Sequence, residues 1–409
     1  MKLNIEKNIQ SAWDFVFNKL WCEKTKLIYD YRTSEGEDGA FRHLPTKEQI
    51  EKSYPNPCGW YTGMEDGDIS GGLMLDATIC RYEVTKDKAM KKYADDLYEG
   101  LMLNATLGDT KGFLIRSRLP EDGKTHYVNS SRDQYTHWIY SMMHFYNSEL
   151  SDETQRESIK KVLIEFAEKA EHDLTPENIY SSLLNDEGKP SLVCYMKGEM
   201  INRHESLRTA MIYMAAYVVT KDLHWLEKYQ EERAWGLEFA EKIEFAGHVF
   251  ARAFALMQMQ LSVRLLYDYE TEKEYKARYK TLLERVAEGC EHFILTAKEY
   301  LKGYQMPKTV IAWQDCPKEY VGTEWNPYGY EVWLPNVYEA SCGDDMWQLR
   351  NAADALIVQG LCVGRQIKQE QIDAFAEILE TVSFADSFNH TPVSYCAAWW
   401  LLKEIKAVL

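Results

Sequence analysis

The sequence predicts an all-α protein, an (α/α)6 toroid in which six helical hairpins close into a ring with long loops at one end. Three observations carry that expectation. Almost every long segment has helical period. The helices come in pairs, the first apolar nearly all round and the second striped and highly charged. A turn sequence recurs between the two members of a pair, which is the mark of an internal repeat.

In chain order, helices are expected near 4–24, 70–85, 87–107, 131–148, 152–172, 204–220, 222–243, 246–270, 273–297, 344–363, 368–382 and 391–407. Segments such as GGLMLDATICRY, LRTAMIYMAAYVV and FARAFALMQMQLSVRLLY are apolar on all faces and belong inside. AMKKYADDLYEGLML, TQRESIKKVLIEFAEKA and EYKARYKTLLERVAEGCEHF carry one apolar stripe and face water. The repeat is clearest in RYEVTKDKAMKKY (81–93) and AYVVTKDLHWLEKY (216–229), with LYDYETEKEYKARY (266–279) as a looser copy. Thr85, Thr220 and Thr271 fall at the turn, and the acidic residue after each favours the next helix start. Strand patterns are few; GFLIRSRLP (112–120) reads as one arm of a small hairpin. The whole of 1–409 is expected to form one toroid domain. An open solenoid is the competing architecture, but its repeats are shorter and more uniform. The loops before the inner helices, 25–69, 108–130, 173–203 and 298–343, are long, whereas the turns after them are short. Long loops therefore gather at the N-terminal ends of the inner helices, where function usually sits.

Composition narrows the function. A net charge of −17 with no basic cluster repels phosphate backbones and anionic membranes, so nucleic acid and membrane are excluded as partners. No apolar run reaches the roughly 20 residues that span a bilayer. MKLNIEKNIQ has no secretory apolar core, so a cytoplasmic location is expected, or a periplasmic one if a leader precedes this chain. Nine cysteines at irregular spacing argue against a disulfide framework and show no zinc pattern; no metal and no cofactor is expected. Twelve Trp and 27 Tyr are many. Trp60, Tyr61, Trp313, Trp325, Tyr328, Tyr330 and Trp333 stand outside the periodic segments. Ring faces in loops are what a sugar-binding cleft uses; loops folded back as lids explain them equally well.

The segment SSRDQYTHW meets the start of an inner helix, with Ser130 or Ser131 as N-cap. Arg132, Asp133, Gln134 and His137 then fall in the first turns, with Asp133 and His137 on one face. Other inner-helix starts carry similar groups. They are Glu65, Asp66 and Asp68; Arg203 and His204; His248 and Arg252; Asp344 and Asp345; and His390. An isolated Asp at a helix start is usually a cap. Caps do not need Arg, His and Gln beside them, so convergence on one pocket is expected. Paired carboxylates beside aromatic walls are the equipment of glycoside hydrolysis. Asp133 is the first choice of acid or base, with Asp66 or Asp68 as partner. Arg132, Gln134, His137, Arg203, His204, His248, Arg252, Trp60, Tyr328, Tyr330, Asp344 and His390 are the expected substrate contacts, and the arginines point to a carboxylate-bearing sugar.

The run GDISGGLMLDATICRYEVTKDKAMKKYADDLYEGL, then GFLIRSRLP, then SSRDQYTHWIYSMMHFY, resembles the six-hairpin glycosidase superfamily. The order is similar to unsaturated glucuronyl and rhamnogalacturonyl hydrolases. Their W-x-R-G-x-x-W signature is absent, and the SSRDQYT block resembles uncharacterised bacterial toroid proteins more. The resemblance implies a glycoside hydrolase acting on a short, acidic, uronate-containing oligosaccharide, with Asp133 as one aspartate and Asp66 or Asp68 as the other. Two other classes remain open on the same toroid. One is a polysaccharide lyase or sugar epimerase using Tyr135, Tyr328, Tyr330, His204, His248 or His390 as base. The other is a non-catalytic binding module whose surface is loops 25–69 and 298–343.

Overall fold

The computed structural model of the protein describes residues 2–198, 201–245, 252–302, 307–321, 329–341 and 345–408. The helices are α1 (Lys2–Phe15), α2 (Lys47–Glu51), α3 (Gly67–Thr85), α4 (Met90–Thr106), α5 (Arg132–Asn147), α6 (Glu153–Asp173), α7 (Arg208–Thr220) and α8 (Leu223–Ala240). They continue as α9 (Ala253–Tyr269), α10 (Lys273–Cys290), α11 (His292–Glu299), α12 (Val337–Ser341), α13 (Asp345–Leu361), α14 (Gln369–Thr381) and α15 (Thr391–Glu404). Among the described residues, three antiparallel pairs of short strands decorate the loops: β1 (Trp21–Cys22) with β2 (Leu27–Ile28), β3 (Ser182–Leu184) with β4 (Pro190–Tyr195), and β5 (Lys318–Tyr320) with β6 (Trp333–Pro335).

Helices α3, α5, α7, α9, α13 and α15 form the inner ring: each packs on the next, and α15 packs back on α3. Helices α4, α6, α8, α10, α14 and α1 lie outside them. The sixth hairpin joins the two ends of the chain, because α1 packs against α15. Amphipathicity explains the two layers. In α3 the buried residues run from Gly67 to Leu75 and from Ala77 to Cys80, so the helix has no wet face. In α10 only Tyr279, Leu282, Leu283, Val286, Ala287 and Cys290 are buried, one stripe at helical spacing. Each fully buried Leu or Val contributes about 1.5–3 kcal/mol of transfer free energy. One continuous apolar core runs through the ring. No described helix is long and apolar enough to cross a membrane.

The recurring turn has one geometry in two places. Thr85 Oγ1 donates to Arg81 O at 2.7 Å and accepts Asp87 N at 3.2 Å. Thr220 Oγ1 donates to Ala216 O at 2.7 Å and accepts Asp222 N at 3.1 Å. Lys86 and Lys221 close their helices at φ 53° and 60°. Each ammonium lies over the ring four residues earlier, Tyr82 or Tyr217. Asp87 and Asp222 then turn their carboxylates onto the following helix start. The looser copy works differently: buried Glu270 accepts Thr271 N and Glu272 N, both at 2.8 Å.

Three expectations from the sequence fail. The segment 112–120 is irregular, not a strand. Its alternation comes from Arg116 and Arg118, which are buried and donate to protein groups instead of facing water. The first helix ends at Phe15 and passes through a π turn, Val16–Leu20, into β1. The third copy's helix, expected to 297, breaks into α10 and α11.

Asp222 is the N-cap of α8, its side chain accepting from His224 N. Asp222→Ala is expected to lower stability by about 1 kcal/mol, whereas Asp222→Asn retains nearly all of it, because Asn caps about as well as Asp. Urea midpoints of the two variants check this.

Candidate active site

A cavity of about 220 Å³ opens at the N-terminal ends of the inner helices. Its carboxylates are Glu65, Asp66 and Asp133; its cations are Arg116, Arg132 and Arg252. Trp60, Tyr61, Phe254, Tyr338 and Trp347 supply aromatic walls, and His390 completes the floor. Helices α3, α5, α9, α13 and α15 all deliver residues to it through their first turns or the residues just before them.

Local chemistry sets each position. Ser131 caps α5 by accepting Gln134 N. That leaves Asp133 free of capping, and its Oδ1 accepts from Arg208 Nη1 at 3.2 Å. Arg208 is buried and held in place by Gln258 Oε1 at 2.9 Å and by Thr136 Oγ1. Arg132 pairs with Glu205 and donates to Tyr195 O at 3.1 Å. Arg252 is exposed at the rim and lies 4.5 Å from the ring centre of Trp347.

The opposite wall is a carboxyl cluster. Asp30, buried under the cavity, accepts Glu65 N at 2.6 Å and Asp66 N at 3.0 Å. Glu65 Oε2 accepts Tyr61 N at 3.1 Å. Arg116 Nη2 lies 3.8 Å from Glu65 Oε1 and 3.6 Å from Asp66 Oδ1. Burial is the largest influence on these acids, and their mutual repulsion adds to it. It pushes Asp30 up to about 7 and Glu65 up to about 8, and it raises Asp66. The Asp133 carboxylate adds to the rise at Asp66, so the two walls feel each other across the cavity.

The tautomer of His390 follows from its partners. Nδ1 lies 3.0 Å from Asp30 O, a carbonyl that only accepts, so Nδ1 carries the proton. Nε2 therefore accepts, and Arg350 Nη1 donates to it at 2.8 Å. Burial, with Arg350 alongside, lowers His390 to about 3 and keeps it neutral.

Of the residues picked from the sequence, the cavity gathers Asp66, Asp133, Arg132, Arg252, Trp60 and His390. Asp68 is corrected: its Oδ1 accepts from Asn104 Nδ2 on the outer helix α4 at 2.9 Å, so the carboxyl turns away from the cavity. Gln134 is also behind the wall, donating to Glu65 O and accepting Asp68 N. His137 is buried below the floor, stacked on Phe254, and burial lowers it to about 3. Arg203 and His204 sit on a short 3-10 turn, Arg203–Glu205, away from the cavity. Tyr330 is bonded to Asn185 outside it. His248, Tyr328 and Asp344 lie outside the described residues, as does the side chain of Asp345. Sequence reasoning missed Asp30, Arg116, Arg208, Arg350, Tyr338 and Trp347. Arg116 and Arg118 in one apolar segment were the available signal, because buried arginines need acidic or carbonyl partners. Among the described residues no group of His, Cys, Asp and Glu is placed to hold a metal ion.

No family model matches the chain, and no curated protein does. Solved structures do. A sugar epimerase from a ruminal bacterium superposes with a TM-score of 0.51 at 9% identity, covering 99% of each chain. Cellobiose 2-epimerase from Spirochaeta thermophila DSM 6192 gives 0.47 at 12% identity over 98% of this chain and 97% of that one. An inactive variant of an α-1,6-mannanase from Salegentibacter sp. HEL1_6, solved with α-1,6-mannotriose, gives 0.46 at 11% identity over 98% and 99%. The chain thus shares the (α/α)6 toroid fold of the sugar epimerase.

The raised carboxyls set the sign of a pH effect. Glu65 moves up from 4.5 to about 8, so the folded state holds a proton there that the unfolded chain releases above about pH 4.5. That contribution to stability is full below about pH 4.5 and is lost as pH rises through about 8. Glu65→Gln removes it. Its unfolding free energy is expected to fall less between about pH 5 and about pH 8 than that of the parent, as measured by urea denaturation at both.

Proposed function

We propose that the protein is a carbohydrate-active enzyme, a glycoside hydrolase acting on a short acidic oligosaccharide. One observation carries the reading: Asp133, paired with Arg208, and the Glu65–Asp66 pair, whose Glu65 is raised by burial, line a single aromatic-walled cavity. Glu65, held protonated into the neutral range, is the proton donor to the leaving oxygen. Asp133, ion-paired to Arg208, is the charged partner that activates water or attacks the anomeric carbon. Trp60, Tyr61 and Trp347 offer ring faces to the sugar. The exposed fork of Arg252, braced on Trp347, meets the substrate carboxylate.

Among the described residues, the groups that a lyase or epimerase would use as base are occupied or do not line the cavity. Tyr135 OH is spent on Gly112 O at 2.9 Å and Leu114 N at 3.1 Å. His390 Nε2 already accepts from Arg350. His204 and Tyr330 are off the cavity.

The test is turnover on a panel of uronate-containing and neutral oligosaccharides, followed by reducing-end release and by ultraviolet absorbance. Hydrolysis is expected on the charged members. Asp133→Asn and Glu65→Gln are each expected to lose about 10²-fold or more in kcat. Arg252→Gln is expected to weaken charged substrates by about 1.5–3 kcal/mol and neutral ones hardly at all. Full activity in Asp133→Asn removes the hydrolase mechanism. New absorbance from a C=C bond reassigns the site to a lyase, and isomerised product without cleavage reassigns it to an epimerase.

A further inference from the structure

The opposite end of the ring holds a second and larger cavity, about 370 Å³, lined by the C-terminal halves of α5, α9, α13 and α15 and by the middle of α3. Its floor is apolar, built from residues such as Leu73, Leu261, Ile357 and Leu401. Its rim is ionic. Asp76 Oδ1 lies 3.1 Å from His144 Nδ1. Arg264 Nε–H is shared between the two carboxylate oxygens of Asp268, at 2.8 and 3.0 Å. These two pairs are internally balanced.

Glu404 has no ion-pair partner within 4 Å among the described residues, and the His144 imidazole acts on it only from farther off. The hydrogen bond to Glu404 among the described residues comes from the neutral thiol of Cys80, at 2.9 Å. The neighbouring Lys403 turns away to Glu6, at 2.7 Å. Glu404 also sits in the last turn of α15, where the helix dipole already places negative charge. Asp268 occupies the same unfavourable position at the end of α9. Acidic groups at helix C-termini are locally destabilising, and they sit here around a cavity large enough for a small organic molecule. The parallel inner helices add the partial negative charge of four C-termini to the same space.

We infer that this cavity is a binding site for a small organic cation with an apolar body, an alkyl- or arylammonium, whose charged head pairs with Glu404 and whose body rests on the leucine floor. Tyr140 in the same wall adds an aromatic ring to the lining. The site is separate from the carboxylate cavity, which lies at the other ends of the same helices. It therefore stands whether or not the hydrolase reading does.

The probe is benzylammonium, with benzyl alcohol as its neutral counterpart, titrated calorimetrically into the full chain at low ionic strength. Benzylammonium is expected to bind with a dissociation constant on the order of 1 mM, in keeping with a ligand of this size. Benzyl alcohol is expected to bind at least about tenfold more weakly. Glu404→Gln should lose about tenfold or more in benzylammonium affinity, whereas Asp133→Asn at the far cavity should leave it unchanged. Glu404 is at the last turn of an end helix, and an unaltered melting temperature confirms that its variant is folded. A second variant, Leu73→Phe, fills the floor and should abolish binding with Glu404 intact. No heat from benzylammonium at about ten times the expected constant overturns the inference. So does equal binding of the alcohol, or unchanged affinity in folded Glu404→Gln.

Discussion

Asp30 is the knot on which the mouth of the ring depends. Its carboxyl accepts the two amide groups that lead into α3. Its carbonyl accepts both the backbone N–H and the Nδ1–H of His390, the residue that leads into α15. Helices α3 and α15 are where the ring closes. One irregular residue from the first loop therefore fixes two neighbouring inner-helix starts relative to each other. The flanking backbone strengthens the knot, with Arg32 N on Phe388 O at 2.6 Å and Tyr31 bridged to Asn389. A buried carboxyl with this many fixed donors is costly to move. The Asp30 carboxyl that holds the Glu65–Asp66 wall also adds to the rise that burial imposes on Glu65.

The mouth concentrates charge that the protein's surface does not announce. Buried arginines, Arg116, Arg208 and Arg350, stand among the buried acids Asp30 and Asp354 and the cavity carboxylates. Buried ion pairs add little net stability once desolvation is counted, yet breaking one leaves an expensive bare charge. Such a layer is therefore better understood as fixing positions than as strengthening the fold. Arg208 illustrates this, because it holds Asp133 while Gln258 from α9 and Thr136 from α5 hold Arg208. Arg350 does the same for His390 through a second set of partners. Catalytic geometry needs side chains locked by their neighbours, and each wall of the cavity has such a brace.

The two ends of the toroid have opposite polarity because the inner helices run in the same direction. N-terminal ends face the carboxylate cavity and carry partial positive charge. This favours negative charge in that cavity. C-terminal ends face the second cavity and favour a cation. A net charge of −17 spread over the outer helices leaves both fields local, since exposed charges beyond about 8–10 Å are screened at physiological salt.

By itself the sequence determined the layering, because period and stripe width are local properties: α3 is apolar all round, α10 carries one stripe, and the Thr-Lys-Asp turn builds itself within seven residues, Arg81–Asp87. It also placed the start of α5, with Ser130 or Ser131 as cap and Asp133 in the first turn; the structure selects Ser131. Asp68 shows where this stops. It lies two residues from Asp66 on the same helix start, and only packing against Asn104 turns it to the outer layer. The tertiary structure alone decided the partners of Asp133, the role of Asp30 and the state of His390. Those contacts span long stretches of chain, 360 residues from Asp30 to His390 and 75 from Asp133 to Arg208. The first of them involves an irregular segment with no period to read, and the second joins two helices whose packing no local pattern specifies. Such contacts exist only once the ring has closed, and no local pattern encodes them.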